Sequence, residues 1–173
     1  MAILIRPAHL DEAKAIATLH VKTWRETYLD IAPAEAIEKL DTQRRLPMWQ
    51  SYLGAAKPCQ HTLVALCNDT IVGLVSFGPP THPAFGARGE VKHLYVDQTC
   101  KRQGIGRRLM RAAFRQMADD GFKDAALAVV RGNTKALAFY AAMGGVVAGS
   151  FVDAGPIWKS DNVIIAWEEN PAF

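Results

Sequence analysis

One segment, residues 90–110, constrains the fold of this chain more than any other. A run of β-type residues, EVKHLYV (90–96), leads through a short loop into a helical segment that begins within KRQGIGRRLM (101–110). Gly104 and Gly106 stand where that helix begins, and glycine lets a backbone or a ligand approach closely. Since DAALAVV (124–130) reads as a strand, the pattern predicts a strand–helix–strand crossover in an α/β domain.

The start of this helix is basic. Lys101, Arg102, Arg107, Arg108 and Arg111 surround the two glycines, with no acidic residue among them. Each cation near a helix N-terminus costs about 0.3–1 kcal/mol when exposed, because that end already carries partial positive charge. A bound anion would reverse the sign, and the free amides there bind phosphate. Two interpretations stay open: a solvated basic face with glycines for a tight turn, or a phosphate-binding site.

Two common phosphate-binding patterns do not fit the loop. The P-loop pattern GxxxxGK[ST] is absent, and the dinucleotide pattern GxGxxG has Leu109 at its third glycine position. What remains is a GxG at a helix N-terminus after a strand.

The other segments alternate between strand and helix patterns. We predict further strands at 2–8, 61–67, 70–78, 146–152 and 162–169. We predict helices at 11–27, from Pro33 to about residue 45, from the glycine loop to about residue 120, and at 134–143. The order is β-α-α-β-β-β-α-β-α-β-β. We therefore predict a single mixed α/β domain over residues 1–173.

The composition excludes several classes of protein. A net charge of +3 is too small to indicate nucleic acid by itself, and no apolar run is long enough to span a membrane. The three cysteines form no CxxC pair and the five histidines show no paired ligand spacing, so no metal site is expected. With no signal-peptide pattern at the N-terminus, we predict a cytoplasmic protein.

The sequence EVKHLYVDQTCKRQGIGRRLMRAA, followed by NTKALAFYAAMGG, closely resembles the GNAT superfamily of acyl-CoA-dependent N-acetyltransferases. The family's motif, (Q/R)xxGx(G/A), corresponds to residues 101–106, with Lys101 in place of Gln or Arg. The match is good over Glu90–Gly145, whereas residues 29–60 and those beyond Ser150 agree only in outline. The resemblance implies a mixed, mostly antiparallel sheet of about seven strands flanked by about four helices.

The resemblance also implies acetyl-CoA as the acyl-donor cosubstrate and assigns residues to it. The pyrophosphate would rest on the loop formed by Lys101, Arg102, Gln103, Gly104, Ile105, Gly106 and Arg107. The pantetheine arm would pair with Leu94, Tyr95 and Val96, in a strand that often carries a bulge in this family. Asn133 corresponds to a cofactor-contacting asparagine, although it is also a good helix N-cap.

Three residues are candidates for catalysis. Tyr140 matches the family's tyrosine near the thioester sulfur; a core tyrosine bonded to a backbone carbonyl is the alternative. Glu90 stands where several members carry a catalytic glutamate; the alternative is a strand-start glutamate paired with Lys92 or Arg88. His93 is a second candidate base, but strand alternation puts it on the opposite face unless a bulge intervenes.

The acceptor pocket is predicted between the first two helices, where the family binds its amine. Trp24 and Tyr28 would form an aromatic wall suited to a cation, or they are simply core residues at helical spacing. The loop PPTHPAFGARG (79–89) is expected to edge the pocket.

The leading hypothesis is an N-acetyltransferase that acts on a primary amine of a small molecule, peptide or protein by direct attack in a ternary complex. A non-catalytic acyl-CoA-binding module is the alternative. Nucleic-acid binding through residues 101–111 is disfavoured because no aromatic residues are interleaved with the basic ones. A homodimer through the terminal strands is possible, since NVIIAWEE (162–169) is apolar. The acceptor's identity, the acyl preference and the oligomeric state stay open.

Overall fold

A central sheet organises the computed structural model, which describes residues 3–55 and 57–169. Within these residues seven strands run in the order β1-β2-β3-β4-β5-β7-β6. The strands are β1 Ile3–Pro7, β2 His61–Cys67, β3 Thr70–Gly78, β4 Gly89–Val96, β5 Ala125–Val130, β6 Val146–Asp153 and β7 Ser160–Trp167; the α-helices are α1 Ala13–Tyr28, α2 Ala34–Lys39, α3 Thr42–Gly54, α4 Ile105–Asp119 and α5 Thr134–Ala141. The predicted start of the first strand, Ala2, and both ends of the predicted domain lie outside the described residues.

The sheet is antiparallel except at its centre, as predicted. There β4 and β5 run parallel, joined by α4, which confirms the crossover. In the described structure they pair only through Gly89 with Ala125 and Glu90 with Ala126. Beyond those two pairs the strands separate, and the rest of β4 pairs with β3 alone.

A bulge in β4 confirms the irregularity expected for this strand. Ser76 of β3 lies opposite His93 and Phe77 opposite Val91, so Lys92 is the extra residue. The bulge changes the predicted orientation of His93. Tyr52 makes a ring contact with His93, with centroids 6.0 Å apart. Burial and, second, the charge of Glu90 raise the pKa of Tyr52, so Glu90 also lies near this ring. The exception stated in the sequence analysis therefore applies: a bulge intervenes, and alternation no longer places His93 on the face opposite Glu90.

The core lies on both faces of the sheet. On one face α4 buries the apolar stripe expected from the sequence: Leu109, Met110, Ala113, Phe114 and Met117. On the other face α1 and α3 pack together against β2 and β3, with Ile16 and Trp49 fully buried. Burying each large apolar side chain contributes about 1.5–3 kcal/mol, so both layers hold the strands in place.

Helix α3 is a correction to the sequence analysis, which expected one helix from Pro33 to about residue 45. The chain instead breaks at Leu40, whose backbone is extended at φ −89° and ψ 113°. Asp41 then begins a new helix by accepting a hydrogen bond from the Arg44 amide at 2.7 Å. The described residues thus contain five α-helices, one more than the number expected.

The terminal strands occupy different places in the sheet. The apolar strand β7 lies between β5 and β6 and is buried, so its apolar residues serve the core. Among the described strands, β1 and β6 form the two edges of the sheet, and β6 exposes Val146, Val147 and Val152. A homodimer stays a prediction.

Candidate active site

The N-terminus of α4 is open and basic. Gly104 begins the helix in a left-handed conformation, φ 74°, and no side chain caps the first-turn amides. A Cβ placed on Gly104 would meet no described atom within 4 Å. Ile105 is buried and anchors the turn, whereas Lys101, Arg102, Gln103 and Arg107 are exposed. Free amides beside several cations can hold an anion such as a diphosphate.

The unpaired edge of β4 leads to this turn. Leu94, Tyr95 and Val96 pair with Val75, Leu74 and Gly73 of β3, whereas β5 has already separated from β4. The first turn of α4 approaches the end of this edge: a Cβ on Gly106 would lie 3.8 Å from Val96 and 3.4 Å from Phe139. An extended ligand arm could therefore run along β4 from the α4 N-terminus.

A cavity of about 370 Å³ lies where β4 and β5 part. Glu90 and Lys92 line it from β4, and Ala128 and Val130 from β5. The remaining wall is largely aromatic and comes from α1, the 79–88 loop and the C-terminal strands: Trp24, Tyr28, Thr81, His82, Phe85, Phe151, Asp153, Trp158, Ser160 and Asn162. The expectation that the 79–89 loop edges the pocket agrees with this arrangement.

Glu90 is buried in the cavity wall, with 8 % of its surface exposed. Its Oε2 accepts hydrogen bonds from the Thr81 amide at 2.6 Å and from Thr81 Oγ1 at 2.7 Å. Among the described ion pairs, none joins Glu90 to Lys92 or Arg88, and Arg88 instead lies 3.8 Å from Glu168. The pairing considered as the alternative role of Glu90 is thus not found.

Trp24 and Tyr28 are both packed and cavity-lining. Their ring centroids lie 4.9 Å apart, and they pack with Val21, Ala36 and Leu40. Both side chains also form part of the cavity wall. Both residues are therefore packed in the core and also reach the cavity, and their role in binding an amine stays a prediction.

Tyr140 and Asn133 lie close to Tyr28. Asn133 caps α5, accepting from the Ala136 amide at 3.2 Å, and its side chain lies close enough to Tyr28 to influence the pKa of that hydroxyl. Tyr140 points inward as predicted, packed edge-on against Phe139 and Trp167. Burial, with a smaller effect of Tyr28, raises the pKa of the Tyr140 hydroxyl above its usual range. No bond from that hydroxyl to a backbone carbonyl occurs in the described part of the chain.

His93 is a weak base in this setting. It lies in a polar aromatic cluster with His20 and Trp49, and its Nδ1 is 2.7 Å from Ser76 Oγ. Burial lowers the pKa of His93 to about 3, with Arg45 and Lys92 adding to the effect. A ring that resists protonation at neutral pH is a poor proton acceptor.

The described residues contain no cluster of three or more histidine, cysteine, aspartate or glutamate side chains that could hold a metal ion. In the same ranges, no helix combines the length and apolarity needed to cross a membrane.

Comparison with known proteins decides the family. Residues 14–144 match the model of the acetyltransferase (GNAT) family. The chain belongs to this family. As a GNAT enzyme it is an acetyl-CoA-dependent acyltransferase. A curated relative, the uncharacterized N-acetyltransferase YuaI of Bacillus subtilis, is 29% identical over 141 residues, covering 81% of this chain and 78% of the relative.

Solved structures share the GNAT fold. PaiA N-acetyltransferase from Thermoplasma acidophilum, in complex with coenzyme A, has a TM-score of 0.74 at 21% identity and covers 97% of this chain and 99% of its own. YncA from Salmonella typhimurium, with acetyl-CoA, has a TM-score of 0.69 at 19% identity, covering 97% and 94%. A GCN5-related N-acetyltransferase from Rhodopseudomonas palustris has a TM-score of 0.77 at 18% identity, and the match covers 97% of this chain and 96% of that protein.

Proposed function

We propose that this GNAT enzyme transfers the acetyl group of acetyl-CoA to a primary amine of a small molecule or peptide. The amine attacks the thioester directly while both substrates are bound. The observation that carries the proposal is the separation of β4 from β5, which opens onto the Glu90 cavity and lies beside the uncapped start of α4. Donor and acceptor can thus meet at one gap in the sheet.

The residues around the α4 N-terminus fit the donor. Backbone amides from Arg102 to Arg107 would hold the diphosphate, with the loop's cations, Lys101 among them, offsetting its charge. Leu94, Tyr95 and Val96 offer an unpaired strand edge for the pantetheine amides. When bound, acetyl-CoA supplies the activated acetyl group. PaiA and YncA, whose structures hold coenzyme A and acetyl-CoA, support the choice of donor by analogy.

Glu90 would act as the general base. An amine with a pKa of about 10 must lose a proton at a cost of roughly 4 kcal/mol at pH 7 before it attacks. Thr81 occupies one carboxylate oxygen of Glu90, which leaves Oε1 to take that proton directly or through a water. A positioned base contributes about 10²–10⁴-fold to the rate.

Tyr140 would protonate the leaving thiolate. Because its pKa is raised, the hydroxyl keeps its proton throughout the neutral range and can donate it. The step is less demanding than amine deprotonation, since a thiol has a pKa of about 8.5. The backbone N–H of Val96 would stabilise the negative charge that develops on the thioester oxygen.

Two measurements test the proposal. Calorimetry with coenzyme A tests the donor site, and thiol release from acetyl-CoA in the presence of an amine panel tests transfer. We expect saturable coenzyme A binding and amine-dependent thiol release. Binding without transfer to any amine would favour the alternative, a non-catalytic acyl-CoA-binding module, and absence of binding would reject both.

A further inference from the structure

Lys92 is a cation in the acceptor cavity that the transfer chemistry does not use. It is the extra residue of the β4 bulge and is partly buried in the cavity wall. Neither an ion pair nor a hydrogen bond is recorded for its ammonium group within residues 3–55 and 57–169. Burial lowers the pKa of Lys92, while the charge of Glu90 acts in the opposite direction.

The carboxylates that share the cavity are engaged elsewhere. Thr81 donates two hydrogen bonds to Glu90, and the Glu90 carboxylate lies beyond ion-pair distance of the Lys92 ammonium group. Asp153 lies at the exposed end of β6, where its Oδ1 accepts from the Gly155 amide at 2.8 Å. A partly buried charge is costly unless a partner compensates it. The ligand is therefore the natural source of an anion for Lys92.

We propose that the acceptor carries an anionic group, a carboxylate, on the same molecule as its amine, as a free amino acid does. The inference rests on the proposed function and names its substrate class. Glu90 and the bulge residue Lys92 both line the cavity, so opposite charges face a single ligand. Glu90 serves the amine, and Lys92 binds the carboxylate.

The size of the cavity indicates a small ligand. A volume of about 370 Å³ suits a small molecule better than a folded protein surface. Trp24, Phe85, Phe151 and Trp158 contribute aromatic groups to a lining whose exposed surface is mainly polar. A peptide N-terminus, which lacks a carboxylate near its amine, leaves Lys92 without a partner.

Matched acceptor pairs test the inference. The probes are phenylalanine, methionine and tryptophan, each compared with its carboxamide, which keeps the amine and side chain but lacks the charge. We expect the wild-type enzyme to favour the amino acids at least about tenfold in kcat/KM, as for a charged hydrogen bond. Lys92→Met should abolish this preference, mainly by raising KM for the amino acids, whereas Lys92→Arg should retain part of it.

Lys57→Met is the control. Lys57 is exposed, is not part of the cavity wall and is close enough for its charge to affect Lys92. Lys57→Met changes the electrostatic potential near Lys92 but leaves the proposed contact of Lys92 with the carboxylate. The preference for amino acids over carboxamides should therefore persist. Equal use of acids and amides by the wild-type enzyme, or equal losses for both in Lys92→Met, overturns the inference and leaves the transferase function intact.

A binding measurement covers the case in which no tested amine is acetylated. N-acetylphenylalanine and its carboxamide are titrated by calorimetry into the coenzyme A complex of wild-type and Lys92→Met proteins. Tighter binding of the acid that depends on Lys92 supports the anion site even if transfer fails. Equal binding of acid and amide to the wild-type protein rejects it.

Discussion

Both hydrogen bonds that Thr81 donates to Glu90 end on the same carboxylate oxygen, Oε2, at 2.6 Å from the amide and 2.7 Å from Oγ1. The loop that carries Thr81 is held in turn by β6, because His82 stacks on Phe151 with ring centroids 4.1 Å apart. Phe85 of the same loop is buried and also packs on Phe151. A surface loop thus sets the orientation of a buried carboxylate.

Thr81→Val removes the hydroxyl donor but retains the amide donor and the side-chain volume. We expect kcat to fall about tenfold, because a hydrogen bond to a charged group contributes roughly 1.5–3 kcal/mol and one of the two remains. Thr81→Ser should restore kcat, because it restores the hydroxyl donor. Wild-type kcat in Thr81→Val would contradict the positioning role.

Glu90→Gln tests the base directly. We expect kcat to fall by about 10²–10⁴-fold, because a neutral amide cannot accept the amine proton. Calorimetric affinity for acetyl-CoA should be unchanged, since Glu90 lies in the proposed acceptor cavity rather than at the α4 N-terminus. Glu38→Gln, an exposed substitution on α2, is the matched control. Wild-type turnover of Glu90→Gln across pH 6–9 would remove Glu90 from the mechanism.

Local signals made the glycine loop and its flanking elements predictable. The boundary between EVKHLYV and KRQGIGRRLM is marked by glycine and by a change of period, and the structure keeps both elements within a residue or two. The pocket wall was harder to predict. Phe151 and Trp158 reach it only because β6 and β7 join the sheet beside β5, a long-range arrangement that no local pattern encodes.

Helix α3 was missed for a different reason. Its sequence contains Pro47 and is rich in polar residues, which weakens a helical signal. Two clues were present: Asp41 as an N-cap, and Leu46, Trp49 and Leu53 at three- and four-residue spacing. Likewise, the bulge that brings His93 toward Tyr52 depends on the pairing register of β3 with β4 and cannot be found from alternation alone.

Tyr140→Phe removes the proposed acid while keeping the ring that packs on Phe139 and Trp167. We expect turnover to fall about tenfold or more with little loss of stability, a modest effect for a leaving group with a pKa of about 8.5. Because burial raises the pKa of Tyr140, the wild-type residue stays protonated to at least pH 9.5. The rate ratio of wild type to variant should therefore be constant from pH 6 to 9.5, and convergence of the two rates above pH 8 would contradict it.

Gly104→Ala and Gly121→Ala separate ligand binding from backbone strain. Both glycines have positive φ, 74° and 91°, at opposite ends of α4, and a Cβ at either meets no described atom within 4 Å. Each substitution should cost about 1–2 kcal/mol of unfolding free energy through strain. Only Gly104→Ala should weaken coenzyme A binding, by about tenfold, because its methyl group enters the space where the diphosphate approaches. Equal affinities in the two variants would contradict a diphosphate site at Gly104.

Two histidines, the buried His20 and the half-buried His93, predict acid sensitivity. Burial lowers the pKa of His20 to about 2 and that of His93 to about 3, whereas a histidine in the unfolded chain titrates at about 6.5. Between these values the unfolded state binds more protons, so stability present above pH 6.5 is lost as the pH falls. The unfolding free energy should drop by about 2 kcal/mol per histidine between pH 7 and 5, measured by urea denaturation. Carboxylates remain ionised in both states over most of this window, so the histidines dominate the pH dependence of stability.

His20→Gln tests this prediction. Trp49 Nε1 donates to His20 Nδ1 at 3.1 Å, and glutamine keeps an acceptor for it. The variant should lose about half as much unfolding free energy as the wild type between pH 7 and 5. The same pH dependence in both proteins would show that His20 is not the source.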